Sequence, residues 1–182
     1  MYPVSETFLR TVQGNTRKYY WTGKITTASG AEYPFTQEDI VKDSGYITAQ
    51  CCGNSEIELG AVYAAEMGIS LFLDIDRYTL EDAEVELSYH LRLADGTYEV
   101  VPMGIFEVSE ANRTVHVLEL KAYDRMLRFD RAFNGFETIG TAYGMMALCS
   151  TACGVELAQT QTEIEALPNG SELLSIYPEN DI

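Results

Sequence analysis

Basic residues are scarce in this chain. Twelve lysines and arginines stand against 28 aspartates and glutamates in 182 residues, a formal net charge of −16. A nucleic-acid backbone is bound by clustered cations that displace its condensed counterions. The densest basic stretches here, Arg17-Lys18 and Arg125 to Arg131, are short and interleaved with Tyr, Phe and Asp. The composition therefore argues against a conventional nucleic-acid binder. The acidic surplus suits a soluble surface or a passage that must not hold polyanions. Histidine is rarer still. His90 and His116 both read as polar positions on strands, which points to exposed side chains rather than catalytic bases. No G-x-S-x-G, H-E-x-x-H or P-loop pattern occurs, so the common nucleophile, zinc and phosphate constellations have no support. No apolar run approaches the roughly 20 residues of a membrane span. The opening MYPVSETFLRTV has neither the basic nor the apolar region of a signal peptide, so synthesis in the cytoplasm is expected, with no membrane partner.

The four cysteines are Cys51, Cys52, Cys149 and Cys153. Zinc sites pair their thiolates as C-x2-4-C. Cys149 and Cys153 fit that range, but the adjacent Cys51 and Cys52 would point to opposite faces of a strand. Buried, reduced thiols acting as small apolar groups are the expected state, without disulfides and without a metal. Asp74-Ile-Asp76 followed by Glu81-Asp82 lacks the glycine and glutamate positions of a calcium loop. Glu84 and Glu86 lie two apart on one strand face, which reads as a wet surface rather than a glycosidase pair. No catalytic residue and no cofactor is expected.

What the chain does contain is strand pattern. Tyr, Thr, Val and Ile are plentiful in alternating runs. Ser5 should cap a short helix to Val12, with Phe8, Leu9 and Val12 on one side. Arg17–Thr27 reads as a strand turning at 28–31 into a return strand, Glu32–Phe35. Further strands are expected at Gly45–Cys51, Ile57–Leu59 and Met67–Ile75. From Glu84 to Leu93 the alternation of Val85, Leu87, Tyr89, Leu91 and Leu93 with polar residues is unbroken, so one side is core and the other faces water. Asp95-Gly96 closes a hairpin onto Tyr98–Val101, and Pro102 is expected to end that strand. Gly104–Val108 and Val115–Tyr123 should form a second hairpin across 109–114. The apolar phase slips between Val117 and Leu118, which a bulge there or burial on both faces would explain. Thr141 caps a helix over about 141–153, in which Ala142, Met145, Met146, Cys149 and Cys153 share an apolar face and Gly154 supplies the stop. The expected class is thus mainly β with minor α, with a strand-rich domain over 1–136 followed at 137–182 by the beginning of a second, incomplete α+β domain.

Two passages carry a resemblance to a known family. SGYITAQCCGNSEIELGAVYAAEMGISLFL (44–73) resembles the early part of tail hub proteins from phages and prophages of Gram-positive bacteria, in its strand, paired-cysteine turn, Glu-Leu-Gly step and apolar strand. DGTYEVVPMGIFEVSEANRTVHVLELKAYDRMLRFD (95–130) is similar to the next part, with a Pro-x-Gly-x-Phe strand and a Lys-Ala-Tyr-Asp ending. The 141–157 helix resembles the one that opens the family's second domain. Such hubs are similar to the baseplate hub of contractile tails and the spike base of type VI secretion systems. The resemblance implies a tube-like barrel and a homotrimeric ring joining tail tube to tip, with other tail or baseplate proteins as partners and DNA only in transit. It also implies location in the virion tail and no enzymatic activity in this region. The acidic Glu84 and Glu86 face is then expected to line the channel. Two alternatives stand beside it. One is a carbohydrate- or receptor-binding β-domain using Tyr19, Tyr20 and Trp21, and the other is a hydrolase with an unrecognised site.

Overall fold

A computed structural model describes residues 2–50, 63–131 and 138–176. Cα proximity divides the chain into two units, Met1–Arg125 and Met126–Ile182. The expected strand at Ile57–Leu59, the pair Cys51 and Cys52, and the anticipated boundary at 136/137 lie outside the described residues.

The first unit opens with α1 (Glu6–Val12), capped by the Ser5 hydroxyl, which accepts the Phe8 N–H. Seven strands follow: β1 (Tyr19–Thr26), β2 (Glu32–Phe35), β3 (Tyr46–Thr48), β4 (Glu66–Leu71), β5 (Glu84–Arg92), β6 (Tyr98–Thr114) and β7 (Val117–Asp124). They form one antiparallel sheet in the order β2-β1-β5-β6-β7-β4-β3. The mainly β class expected from the pattern is what the structure shows. The sheet is not closed, because its edges β2 and β3 do not pair with each other among the described residues. The connection after β2 partly bridges the gap. Ile40 pairs with Leu71, the Val41 N–H donates to the Ser70 carbonyl, and the Phe72 N–H donates to that of Asp39. The sheet therefore curls around one core. Ile25, Phe35, Met67, Leu71, Val85, Leu87, Phe106, Leu118, Leu120 and Ala122 supply it from the strands, and Ile40, Ile75, Leu80 and Ala83 from the connections. Truncating a buried aromatic such as Phe35 in such a core costs about 3–5 kcal/mol.

Four local expectations give way to the register. Met67–Ile75 alternates throughout, yet the strand ends at Leu71, where Phe72 turns its N–H to Asp39. Ile75 is still buried, so the alternation reports burial and not ladder pairing. Pro102 does not end β6. It pairs opposite Ser88, Met103 is bulged out, and Gly104 continues the strand at φ +133°. A proline is tolerated there because this half of β6 has only β5 beside it; β7 pairs with Phe106–Thr114. The second hairpin turns at Val115-His116, not across 109–114, since Thr114 pairs with Val117. Finally, no bulge occurs at Val117-Leu118. The irregularities fall on β6, at Met103 and Ser109, and the phase slip arises because Val115 belongs to the turn, where it is 83% exposed.

The second unit contains β8 (Thr138–Gly140), α2 (Ala142–Cys153), α3 (Gln161–Glu165) and β9 (Leu174–Ile176), with β8 and β9 antiparallel. Thr141 caps α2 and Gly154 ends it in the left-handed region, as the sequence predicts. Arg128 and Arg131 place guanidinium groups 3.0 Å from the carbonyls of Gly154 and Ala152, at the end of the helix where a cation is favoured. Only Met145 of α2 is buried. Met146 is exposed, and Cys149 and Cys153 are half-buried free thiols rather than fully buried core groups.

Candidate functional site

The polar side of the β1-β5-β6-β7-β4 region gathers the residues singled out by charge. Alternation along β5 sends Val85 and Leu87 into the core and Glu84 and Glu86 to the other side. The register sets Glu84 opposite Thr26 on β1 and Glu107 on β6, and Glu86 opposite Lys24 and Ile105. One strand further, Glu107 faces Tyr123, and Tyr123 faces Glu66. Like charges directly across a ladder repel, so Glu84 and Glu107 need a cation. Arg125 provides it, with Nη2 2.6 Å from Glu84 and Nε 3.6 Å from Glu107. Lys24 serves a second pair, 2.7 Å from Glu32 and 3.5 Å from Glu86. Lys121 lies 3.2 Å from Glu66 and over the Tyr123 ring, while the Tyr46 hydroxyl donates to Glu66 at 2.7 Å.

These contacts set the electrostatics of the face. The Tyr46 hydrogen bond, joined by Lys121, holds the Glu66 carboxyl below its ordinary range, and the same bond raises the Tyr46 phenol. Hydrogen bonds to Tyr123 and Glu66 push Lys121 upward, and Glu32 does the same to Lys24. Glu66, Lys121 and Lys24 therefore stay ionised near neutrality and the Tyr46 phenol stays neutral, so all make poor proton donors or acceptors. Five carboxylates share three basic groups, so the patch is acidic but internally tied. Sequence reasoning located Glu84 and Glu86 on this face. It missed the cations, because Arg125 is 41 residues from Glu84 and only the register brings them together.

The aromatic cluster divides as alternation requires. Tyr19 and Trp21 pack on Tyr89, with ring centres 5.3 and 5.9 Å away, and Phe8 of α1 reaches the same ring. Tyr20 lies on the opposite side, stacked on His90 at 4.4 Å and edge-on to Tyr98. His90 is therefore not the exposed strand histidine expected. It is half-buried, hydrogen-bonded to Thr22 at 2.9 Å, and its pKa is lowered by desolvation. His116 is exposed in the β6–β7 turn. Asp74 pairs with Arg113, and Asp76 caps the 3-10 turn Arg77–Leu80. Among the described residues no three His, Cys, Asp or Glu side chains are grouped to hold a metal, and no helix is long and apolar enough to cross a membrane.

Among the described residues one stretch of strand is left without a second neighbour. β6 runs 17 residues, but β7 accompanies only Phe106–Thr114. Among the described residues, Tyr98–Ile105 therefore has β5 on one side and no strand on the other, and Tyr98, Val100, Met103 and Ile105 are exposed along it.

No protein-family model matches this chain, and no curated protein matches it. Among solved structures it is similar to a chain of the virion of a native gene transfer agent particle. The identity is 12% and the TM-score 0.47, over 76% of this chain and 51% of that one. The chain thus spans about half the length of that virion chain.

Proposed function

We propose that the protein is a structural component of a phage or prophage tail tip or baseplate hub, part of a homotrimeric ring that joins the tail tube to the tip and lets DNA pass. The observation that carries this reading is the half-partnered strand β6. Among the described residues its 98–105 half has an edge that no strand pairs with, bearing exposed Tyr98, Val100, Met103 and Ile105, a surface suited to a neighbouring subunit or another tail protein. Pro102 and the Met103 bulge restrict strand pairing there, so side-chain packing carries most of the contact. The resemblance of the 44–73 and 95–130 passages to tail hubs supports the same reading.

The role is assembly rather than catalysis. The tied carboxylates on the Glu84 and Glu86 face give a net-negative lining that a polyanion in transit does not adhere to. The test is electron microscopy of the protein expressed within its native coding sequence. A threefold ring with the Glu84 and Glu86 face toward the pore is expected. A ring with that face outward contradicts the lining role, and a monomeric native protein contradicts the ring.

A further inference from the structure

The gap in the curled sheet contains a cavity of about 130 Å³ between the half of β1 that β2 does not cover and the residues leading into β3. Buried Ile40 and Ile69 supply its apolar lining, Tyr19 and Trp21 its aromatic lining, and Gln37, Asp43 and Gly45 its polar rim. The Gln37 carbonyl is already used, since it accepts the Trp21 N–H at 3.0 Å. The Asp43 carboxylate makes no hydrogen bond or ion pair among the described residues. Its position is nevertheless fixed. Asp43 sits at φ 61°, and the next residue, Ser44, bonds to Val41 and to both backbone groups of Ser70.

Among the described residues no lysine or arginine lines the cavity. Aliphatic walls, two π-systems and a carboxylate without a partner among the described residues together select a cation on an apolar stem. A neutral ligand leaves the Asp43 charge uncompensated, and an anion is repelled by it. Among side chains, the planar guanidinium both stacks on aromatic rings and pairs with a carboxylate through two N–H groups. A net charge of −16 also steers basic partners toward this surface.

We propose that the cavity receives an arginine side chain of a partner protein, its stem against Ile40 and Trp21 and its guanidinium on Asp43. This does not depend on the tail-hub reading. Trp21 is the single tryptophan of the chain, so selectively excited tryptophan emission reports on this residue's surroundings. The probe is N-acetyl-arginine amide, with N-acetyl-citrulline amide as its uncharged near-isostere. The expected result is a saturable change in Trp21 emission with the arginine probe. The citrulline probe, and Asp43→Asn with the arginine probe, should bind roughly tenfold more weakly, while Glu81→Gln, at an exposed carboxylate outside the cavity lining, leaves binding unchanged. No saturable change, equal binding of the citrulline probe, or undiminished binding by a natively folded Asp43→Asn overturns the proposal. If Asp43→Asn does not fold, the comparison of the two probes on the unaltered chain decides. A response to maltose or N-acetylglucosamine with none to the arginine probe assigns the cavity to carbohydrate and overturns it as well.

Discussion

The Tyr46 ring covers Gly68 on the neighbouring strand so closely that a Cβ there would lie 2.2 Å from its Cε1. The two residues are cross-strand partners, and the arrangement clips the three-residue edge strand β3 to β4. At the opposite edge Phe35 of β2 does the same over its partner Gly23, where a Cβ would lie 2.3 Å from the ring and 2.5 Å from the Glu86 carbonyl. Aromatic cover of a strand glycine is a known way to stiffen a sheet. The two sites should respond differently to a methyl group. At Gly68 the obstacle is a half-exposed ring that can swing aside, so Gly68→Ala should cost about 1 kcal/mol and release the Tyr46–Glu66 bond. At Gly23 the obstacle includes backbone and a fully buried ring, so Gly23→Ala should cost about 3 kcal/mol or more. Urea unfolding of both variants checks the order; equal losses would refute it.

Arg125 bridges two carboxylates that face each other across the ladder. Arg125→Gln leaves Glu84 and Glu107 opposed, and a loss of up to about 1 kcal/mol at neutral pH is expected for this partly exposed group. Adding Glu84→Gln to that variant should restore most of the loss, because the repulsion goes with it. High salt should shrink the effect. Additive losses in the double variant would show that Arg125 acts by packing alone.

How much of this was legible in the sequence depends on range. The β5 alternation, the Asp95-Gly96 hairpin and the caps at Ser5, Thr141 and Gly154 are local, and each was readable. So was the placement of Glu84 and Glu86 on the polar side. Where the register decides, the sequence misleads. Pro102 reads as a terminator unless β6 is known to have one neighbour at that point. Val115-His116 carries none of the glycine or asparagine chemistry that marks a tight turn. The capping box of α3, Thr160 with Glu163, has a readable T-x-x-E signal but is followed by too little apolar pattern to stand out. The partners of the acidic face were out of reach because they come from distant segments.

His90 predicts a pH dependence. Burial lowers its folded pKa below the ordinary value of about 6.5. Tyr20 stacks on it, Thr22 hydrogen-bonds to it, and Val100 lies opposite it across the ladder. The unfolded chain therefore binds a proton at a higher pH than the folded one, and stability falls as pH drops from about 7 through the folded pKa. Denaturation midpoints measured between pH 7.5 and 5.5 should decline, and His90→Gln should flatten the decline. An unchanged slope in that variant would assign the pH dependence to other groups.

Val100 stands exposed on the unpaired half of β6. Val100→Asp should leave the fold intact, since no core contact is lost, while weakening self-association of the native protein by tenfold or more through an unpaired charge in the contact. Sedimentation of the two forms at matched concentrations reads this directly. Undiminished association would place the subunit contact elsewhere.

The central claim is that this is a virion tail component, and immunogold electron microscopy tests it most directly. Particles released by a strain carrying the coding sequence are labelled with antibody raised against this chain. The account predicts gold at the junction of tail tube and tip. Label absent from particles, with the protein found only in the soluble cell fraction, would contradict it.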